Sequence, residues 1–134
     1  MSASRVVLLR HGRTGHNQLG VWQGQLDVPL DDVGRAQADA AARGLAPRIR
    51  AWRAAGEDVR LVASDLSRAY DTAQALSSAA GLELTSDKRL REFYAGAWQG
   101  LTRAQIAEAG RGDELAAWIS GEDVPIGGGE RRSE

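Results

Sequence analysis

The sequence predicts an α/β fold built on a parallel sheet. Three observations point there. Short apolar runs rich in Val and Leu alternate with longer stretches of helical periodicity. The order reads strand, helix, strand, helix, strand, helix, which short connections fold most simply as parallel strands with crossover helices. No internal repeat competes with a single layered domain over residues 1–134.

Each element has a local reason. Arg5 to Leu9 is a continuous β-branched and aliphatic run, expected as a buried strand. Arg10 to Gly24 is polar and Gly-punctuated, a long loop. Pro29-Leu30-Asp31-Asp32 reads as a helix start with an Asp as N-cap. Val33, Ala36, Gln37, Ala40, Ala41 and Leu45 follow at helical spacing, and Gly44 and Pro47 are expected to weaken that helix near its end. Arg48 to Gly56 is a further helical turn or a connector. Val59 to Ala63 is the second strand candidate. Leu66 to Ala80 is the second helix, stopped by Gly81. Leu82 to Thr85 is a weaker strand. Thr102 and Gln105 have capping-box spacing, and Asp113 to Ile119 is a short helix. Residues 121–134, with Gly127-Gly128-Gly129, are expected as a flexible tail.

Composition narrows the function. The chain has 134 residues, 43% hydrophobic and 26% charged, a balance that fits a globular domain rather than a disordered one. A net charge of −1 argues against nucleic acid or an anionic membrane as a partner, so an anion site has to be local. The absence of Cys excludes disulfides, thiolate metal sites and a cysteine nucleophile. Val6 to Leu9 is too short for a signal-peptide core or a membrane span, and the protein is read as cytoplasmic.

In parallel α/β sheets, ligands bind beyond the C-terminal strand ends. There this sequence places Arg10, His11 and Gly12; then Ser64, Asp65 and Arg68; then Arg89, Arg91 and Glu92. Guanidinium forks match phosphate oxygens, and a helix start beside Arg68 would add backbone N–H groups. A neutral His11, one ring nitrogen held by a carbonyl, can attack phosphorus. Glu92 can protonate the leaving oxygen, because a bound phosphate dianion favours the protonated carboxyl. This scheme calls for no metal and no cofactor. Each residue also has a plain alternative: Arg68 a solvated helix residue, Glu92 a surface partner of Arg89 or Arg91, Trp22 and Gln23 loop packing. His11 and His16 as metal ligands lack a nearby third donor.

Taken together, the blocks resemble the histidine phosphatase superfamily, the phosphoglycerate mutase-like family. Arg10-His11-Gly12-Arg13-Thr14-Gly15-His16-Asn17 fits its first signature. Gln23-Gly24-Gln25-Leu26-Asp27-Val28-Pro29-Leu30 fits the next block, Ala63-Ser64-Asp65-Leu66-Ser67-Arg68-Ala69 with Thr72-Ala73 the second-arginine block, and Leu90-Arg91-Glu92 with Gly96, Trp98 and Gly100 the acid block. Gly128-Gly129-Glu130 resembles a Gly-Gly-Glu-Ser segment with Arg131 in place of Ser. The resemblance implies a three-layer α/β/α fold, His11 as phosphorylated nucleophile, Glu92 as proton donor, and Arg10, Arg68 and Asn17 as phosphate ligands. It also implies that Trp22, Gln23 and Gly24 border a small phosphorylated substrate. The short passage from Glu92 to Gly96-Ala97-Trp98 looks like the phosphatase branch.

The resemblance also implies a second histidine, on a later strand within a Ser-His-Gly segment, and this chain holds only His11 and His16. The family places that strand between the first two strands here, so the fold is expected to be incomplete and the chain a C-terminally truncated member. Three functions follow: a metal-independent phosphomonoester hydrolase, a catalytically weak phosphate-binding protein, and a phosphoglycerate mutase. An oligomer is compatible with all three.

Overall fold

A computed structural model describes residues 5–134. Helix α1, Gly15–Leu19, is a single turn closed by a capping box between Thr14 and Asn17. Helix α2, Asp32–Ala54, begins at Asp31, whose carboxylate accepts the Gly34 N–H. Strand β1, Leu61–Ala63, leads into α3, Ser67–Ala80, which ends at Gly81 in the left-handed region. Strand β2, Leu84–Ser86, pairs parallel with β1, Leu61 opposite Leu84 and Ala63 opposite Ser86. Helices α4, Arg103–Ile106, and α5, Gly112–Ile119, follow, separated by a wide turn at Ala107–Arg111.

Two cores hold these pieces. Ala42, Ala46 and Ile49 of α2 meet Leu76 and Ala80 of α3. Small residues on the α2 face let the helices approach closely, and the larger chains supply most of the burial energy, about 1.5–3 kcal/mol for each large aliphatic removed from water. The second core joins Ala95, Trp98, Ile106, Leu115 and Ile126. Trp22 reaches into it from the first loop, with edge-on contacts to Trp98 at 5.2 Å and Trp118 at 5.1 Å. The Trp22 N–H donates to Leu101 O and the Gly100 N–H to Trp22 O, binding the loop to the second core.

Pro47 does not end α2, which runs unbroken to Ala54. The ring loses one backbone hydrogen bond, but its fixed φ suits a helix, and Ala46 and Ile49 on either side are buried against α3. Residues 48–54 are therefore helix.

The strand expected over Arg5–Leu9 is absent. Val6 is 78% and Leu8 91% exposed, and no strand pairing involves this segment. A strand is held by its ladder partner, and none of the described residues pairs with this segment. The sheet consequently has two strands, with α3 packed on one face and Val62 exposed on the other. The α/β class stands; of the expected layers, the described residues form the helical layer and this small parallel sheet. Residues 121–134 are docked in their middle rather than loose: Ile126 is 1% exposed, and Glu130 exchanges backbone and side-chain hydrogen bonds with Tyr94. No helix among the described residues is long and apolar enough to cross a membrane.

Two glycine substitutions check the packing of α2. A Cβ on Gly34 would lie 2.0 Å from the Arg13 carbonyl oxygen, whereas one on Gly44 meets nothing within 4 Å. Gly34→Ala is expected to destabilise by about 1–3 kcal/mol, and Gly44→Ala to stabilise by about 0.5–1 kcal/mol, both read by chemical unfolding.

Candidate active site

The first loop is fixed to α2 and α3 by its backbone. Gly12 lies directly on Gly34, where a Cβ would come within 2.3 Å of the Gly34 carbonyl. The Gly12 N–H donates to Thr72 Oγ1 at 3.0 Å, and that hydroxyl donates to the Arg68 carbonyl one turn back on α3 at 2.7 Å. The Arg13 N–H donates to Gln37 Oε1, and its guanidinium pairs with Asp31 at 2.7 Å, so the N-cap of α2 also grips the loop.

His11 stands on this support, half-buried. Its Nδ1 lies 2.7 Å from Gly12 O. A carbonyl only accepts, so Nδ1 carries the proton and Nε2 presents a lone pair. Burial pushes the imidazole below its ordinary value of 6.5; the Gly12 hydrogen bond opposes this, the Arg68 and Arg10 cations reinforce it, and Glu92 opposes it. The neutral ring is the nucleophilic form.

Arg68 is buried, 3% exposed, on the first turn of α3. Its Nη1 donates to Leu26 O at 2.8 Å and its Nη2 to Gly24 O at 2.7 Å. The remaining N–H groups have no partner among the described residues. Gly24 makes this clamp possible: its φ is +51°, and a Cβ there would meet Gln99 Oε1 at 2.5 Å.

Arg10, His11, Ser64, Arg68 and Glu92 line one open groove of about 1110 Å³, whose apolar wall includes Leu9, Ile49 and Leu61. Glu92 is exposed, and its charge acts on both His11 and Arg68. Its carboxylate accepts the Phe93 N–H at 2.9 Å.

The other sequence-predicted residues serve the surrounding scaffold. Asn17 Oδ1 lies 3.0 Å from the Thr14 N in the capping box of α1. Gln23 is buried, with its Oε1 2.6 Å from the Thr14 hydroxyl. Trp22 belongs to the aromatic core, and Gly24 acts through its carbonyl on Arg68. None of these four lines the groove. The start of α3, expected to offer free N–H groups, is capped instead by Asp27, whose carboxylate accepts the Ser67 N–H at 2.7 Å and is lowered in pKa by Ser67. Sequence reasoning missed the role of Thr72, although its i+4 spacing from Arg68 puts both on one face of α3. Among the described residues, no cluster of three or more His, Cys, Asp or Glu is placed to hold a metal ion.

Comparisons with known proteins identify the family and the fold. The chain is 46% identical over 132 residues to a glucosyl-3-phosphoglycerate phosphatase of Mycobacterium tuberculosis, covering 98% of this chain and 55% of that protein. It is 36% identical to the phosphoglycerate mutase-like protein 4 of Arabidopsis thaliana, over 95% of this chain and 53% of that one. The structure superposes on the mycobacterial glucosyl-3-phosphoglycerate phosphatase complexed with VO3 at a TM-score of 0.78 and 44% identity, covering 91% of this chain and 56% of that one. It superposes on the phosphoserine phosphatase of Entamoeba histolytica in complex with 3-phosphoglyceric acid at 0.67 and 29% identity, covering 87% and 52%. The chain thus spans about half the length of the curated relatives it matches. The family profile described as histidine phosphatase superfamily (branch 1) matches residues 6–134, and the chain belongs to that superfamily.

Proposed function

We propose that the protein hydrolyses a small phosphomonoester through a phosphohistidine on His11. The observation that supports this best is the imidazole itself: Nδ1 tied to Gly12 O, Nε2 free, in one groove with two arginines and a carboxyl. Nε2 attacks phosphorus and the bond to the ester oxygen breaks. Glu92 gives that oxygen its proton, so the leaving group departs as an alcohol. Arg10 and Arg68 neutralise the phosphoryl oxygens during transfer. Water then attacks the phosphohistidine and loses a proton to the Glu92 carboxylate, releasing phosphate and restoring the neutral imidazole.

Mycobacterial relatives at 43–46% identity are named glucosyl-3-phosphoglycerate phosphatases, which favours a phosphorylated sugar acid as substrate. Transfer to water rather than back onto a sugar acid separates this reading from a mutase. On the same reading the protein works in the cytoplasm. A second reading, a phosphate-binding protein of slow turnover, is favoured by one observation: of the two histidines, only His11 lines the groove.

Inorganic phosphate release from sugar-acid and other phosphomonoesters, measured with a chelator present, tests the proposal. Turnover is expected to persist in the chelator and to fall by at least about 10³-fold in His11→Ala, which removes the nucleophile. Label from a phosphorylated substrate is expected on the wild-type protein and not on that variant. Phosphate binding without measurable release selects the second reading. Retention of phosphate on a sugar acid selects the mutase.

The His11 protonation state gives a further prediction. Because its pKa is lowered, the ring is neutral above 6.5 and charges only as pH falls below that value. In the folded protein the His11 ring resonances are expected to titrate with a midpoint under 6.5. Arg68→Gln removes one like charge, so the midpoint is expected to move up. The sign carries over to stability: the contribution of the neutral ring is present above the unfolded value and is lost as pH falls through the folded one.

A further inference from the structure

We infer that Asp65 and Arg91 are positioning residues for proton transfer, holding Glu92 over the groove without touching the substrate. The inference rests on the phosphatase reading and deepens it. Glu92 sits on an irregular loop and is exposed, and its carboxylate bonds only to the adjacent Phe93 N–H among the described residues. Nothing on a neighbouring element holds the acid directly, so the backbone on either side of it has to.

The residue before it does so. Arg91 Nε donates to Asp65 Oδ1 at 2.7 Å and Nη2 to Asp65 Oδ2 at 2.6 Å, a planar two-point contact that fixes orientation as well as distance. Asp65 lies between Ser64 and the start of α3, in the β1–α3 connection that also places Arg68. The pair therefore ties the acid loop to the same junction that sets the buried arginine. Arg91 itself does not line the groove, although Leu90 and Glu92 on either side of it do. Its guanidinium is committed to Asp65, not to a phosphate.

Two further contacts complete the brace. Gln25 Nε2 donates to the Glu92 carbonyl at 3.2 Å, from the loop whose Gly24 and Leu26 carbonyls hold Arg68. Beyond the acid, Tyr94 N–H donates to Glu130 Oε2 and Glu130 N–H donates to Tyr94 O, each at 3.0 Å. Glu92 is thus suspended between two fixed points. Removing the Asp65–Arg91 contact frees one of them.

A positioned acid matters only when the leaving group needs its proton. The test compares kcat/KM for an alkyl phosphate and for an activated aryl phosphate, whose phenolate leaves unassisted. kcat/KM reports only the steps up to leaving-group loss. Arg91→Ala and Asp65→Asn are expected to lower the alkyl value by roughly 10–100-fold and the aryl value by less than about threefold, since general acid catalysis contributes about 10²–10⁴. Equal losses on both esters, or no loss on either, would overturn the inference. Arg91→Lys, which keeps the charge but not the two-point geometry, is expected to fall between wild type and Arg91→Ala.

A readout without turnover accompanies this. At fixed pH, inorganic phosphate is expected to shift the Glu92 carboxyl resonance and the His11 ring resonances of the wild-type chain. In Arg91→Ala the His11 response should remain and the Glu92 response should be lost. Persistence of the Glu92 response refutes positioning by Arg91. Failure of His11 to respond in the wild type strikes the phosphatase reading itself, and this inference with it.

Discussion

A cation buried at the start of a helix organises this molecule. Arg68 is almost wholly removed from water, yet none of the salt bridges among the described residues includes it. Its nearest compensation comes from two neutral carbonyls, on Gly24 and Leu26. Burying a charge costs several kcal/mol unless opposite charge and hydrogen bonds offset it. Here hydrogen bonds are present and direct pairing is absent, with Glu92 and Asp27 acting only through space. Such a site is under-compensated, which on the proposed reading suits it to an anion in the groove. The carbonyl clamp requires the backbone of Gly24 to take a positive φ, the loop to be held by Gln99, and α3 to keep Arg68 one turn behind Thr72. Thr72 in turn fixes Gly12 beneath the nucleophile. Helix, loop and imidazole are tied together through one residue, the loop by its guanidinium and the imidazole's support by its backbone carbonyl.

The sheet is the part that local pattern could not foresee. Val6 to Leu9 has strand composition, and its side chains are suited to a pleated surface, but a strand exists only as part of a ladder. Pairing is a property of distant residues, and none of those described reaches this segment. The same reasoning accounts for Pro47. Propensity argues against a proline inside a helix, but the buried face made by Ala42, Ala46 and Ile49 against Leu76 is a tertiary contact that outweighs one lost hydrogen bond. Signals that are local by nature were legible: Asp31 as N-cap, the Thr102–Gln105 capping box, and Gly81 at the end of α3.

The site divides along the same line. Chemistry restricts which side chains can attack, clamp or protonate, so the sequence singles out His11, Arg10, Arg68 and Glu92 for those roles, and the four share one groove. Asn17, Trp22, Gln23 and Gly24 belong to the same sequence blocks, and their contacts here are a cap, an aromatic core contact, a buried amide and a carbonyl that accepts from arginine. A sequence block records that residues act together, not which of them meets the ligand. Asp65, Asp27 and Glu130 show the converse. Their carboxylates are spent on Arg91, Ser67 and Tyr94, partners 26, 40 and 36 positions away. No spacing rule spans such separations.

On the proposed reading, the charges in the groove bear on how one carboxyl serves as both acid and base. Before a ligand binds, Arg5 and Arg60 on the groove wall pair with Glu57 and Asp58 and cancel, Arg10 and Arg68 contribute +2, Glu92 contributes −1 and the imidazole, its pKa lowered, contributes nothing, leaving +1. A phosphomonoester dianion brings −2 and turns the balance to −1. Glu92, the carboxyl whose charge acts on both His11 and Arg68, is then the group proposed to give its proton to the leaving oxygen. On the same reading, transfer of the phosphoryl group to His11 and departure of the alcohol would leave the carboxylate unprotonated beside the phosphohistidine, where it would accept a proton from water. What the proposed cycle asks of the scaffold is that it hold Glu92 where both events occur.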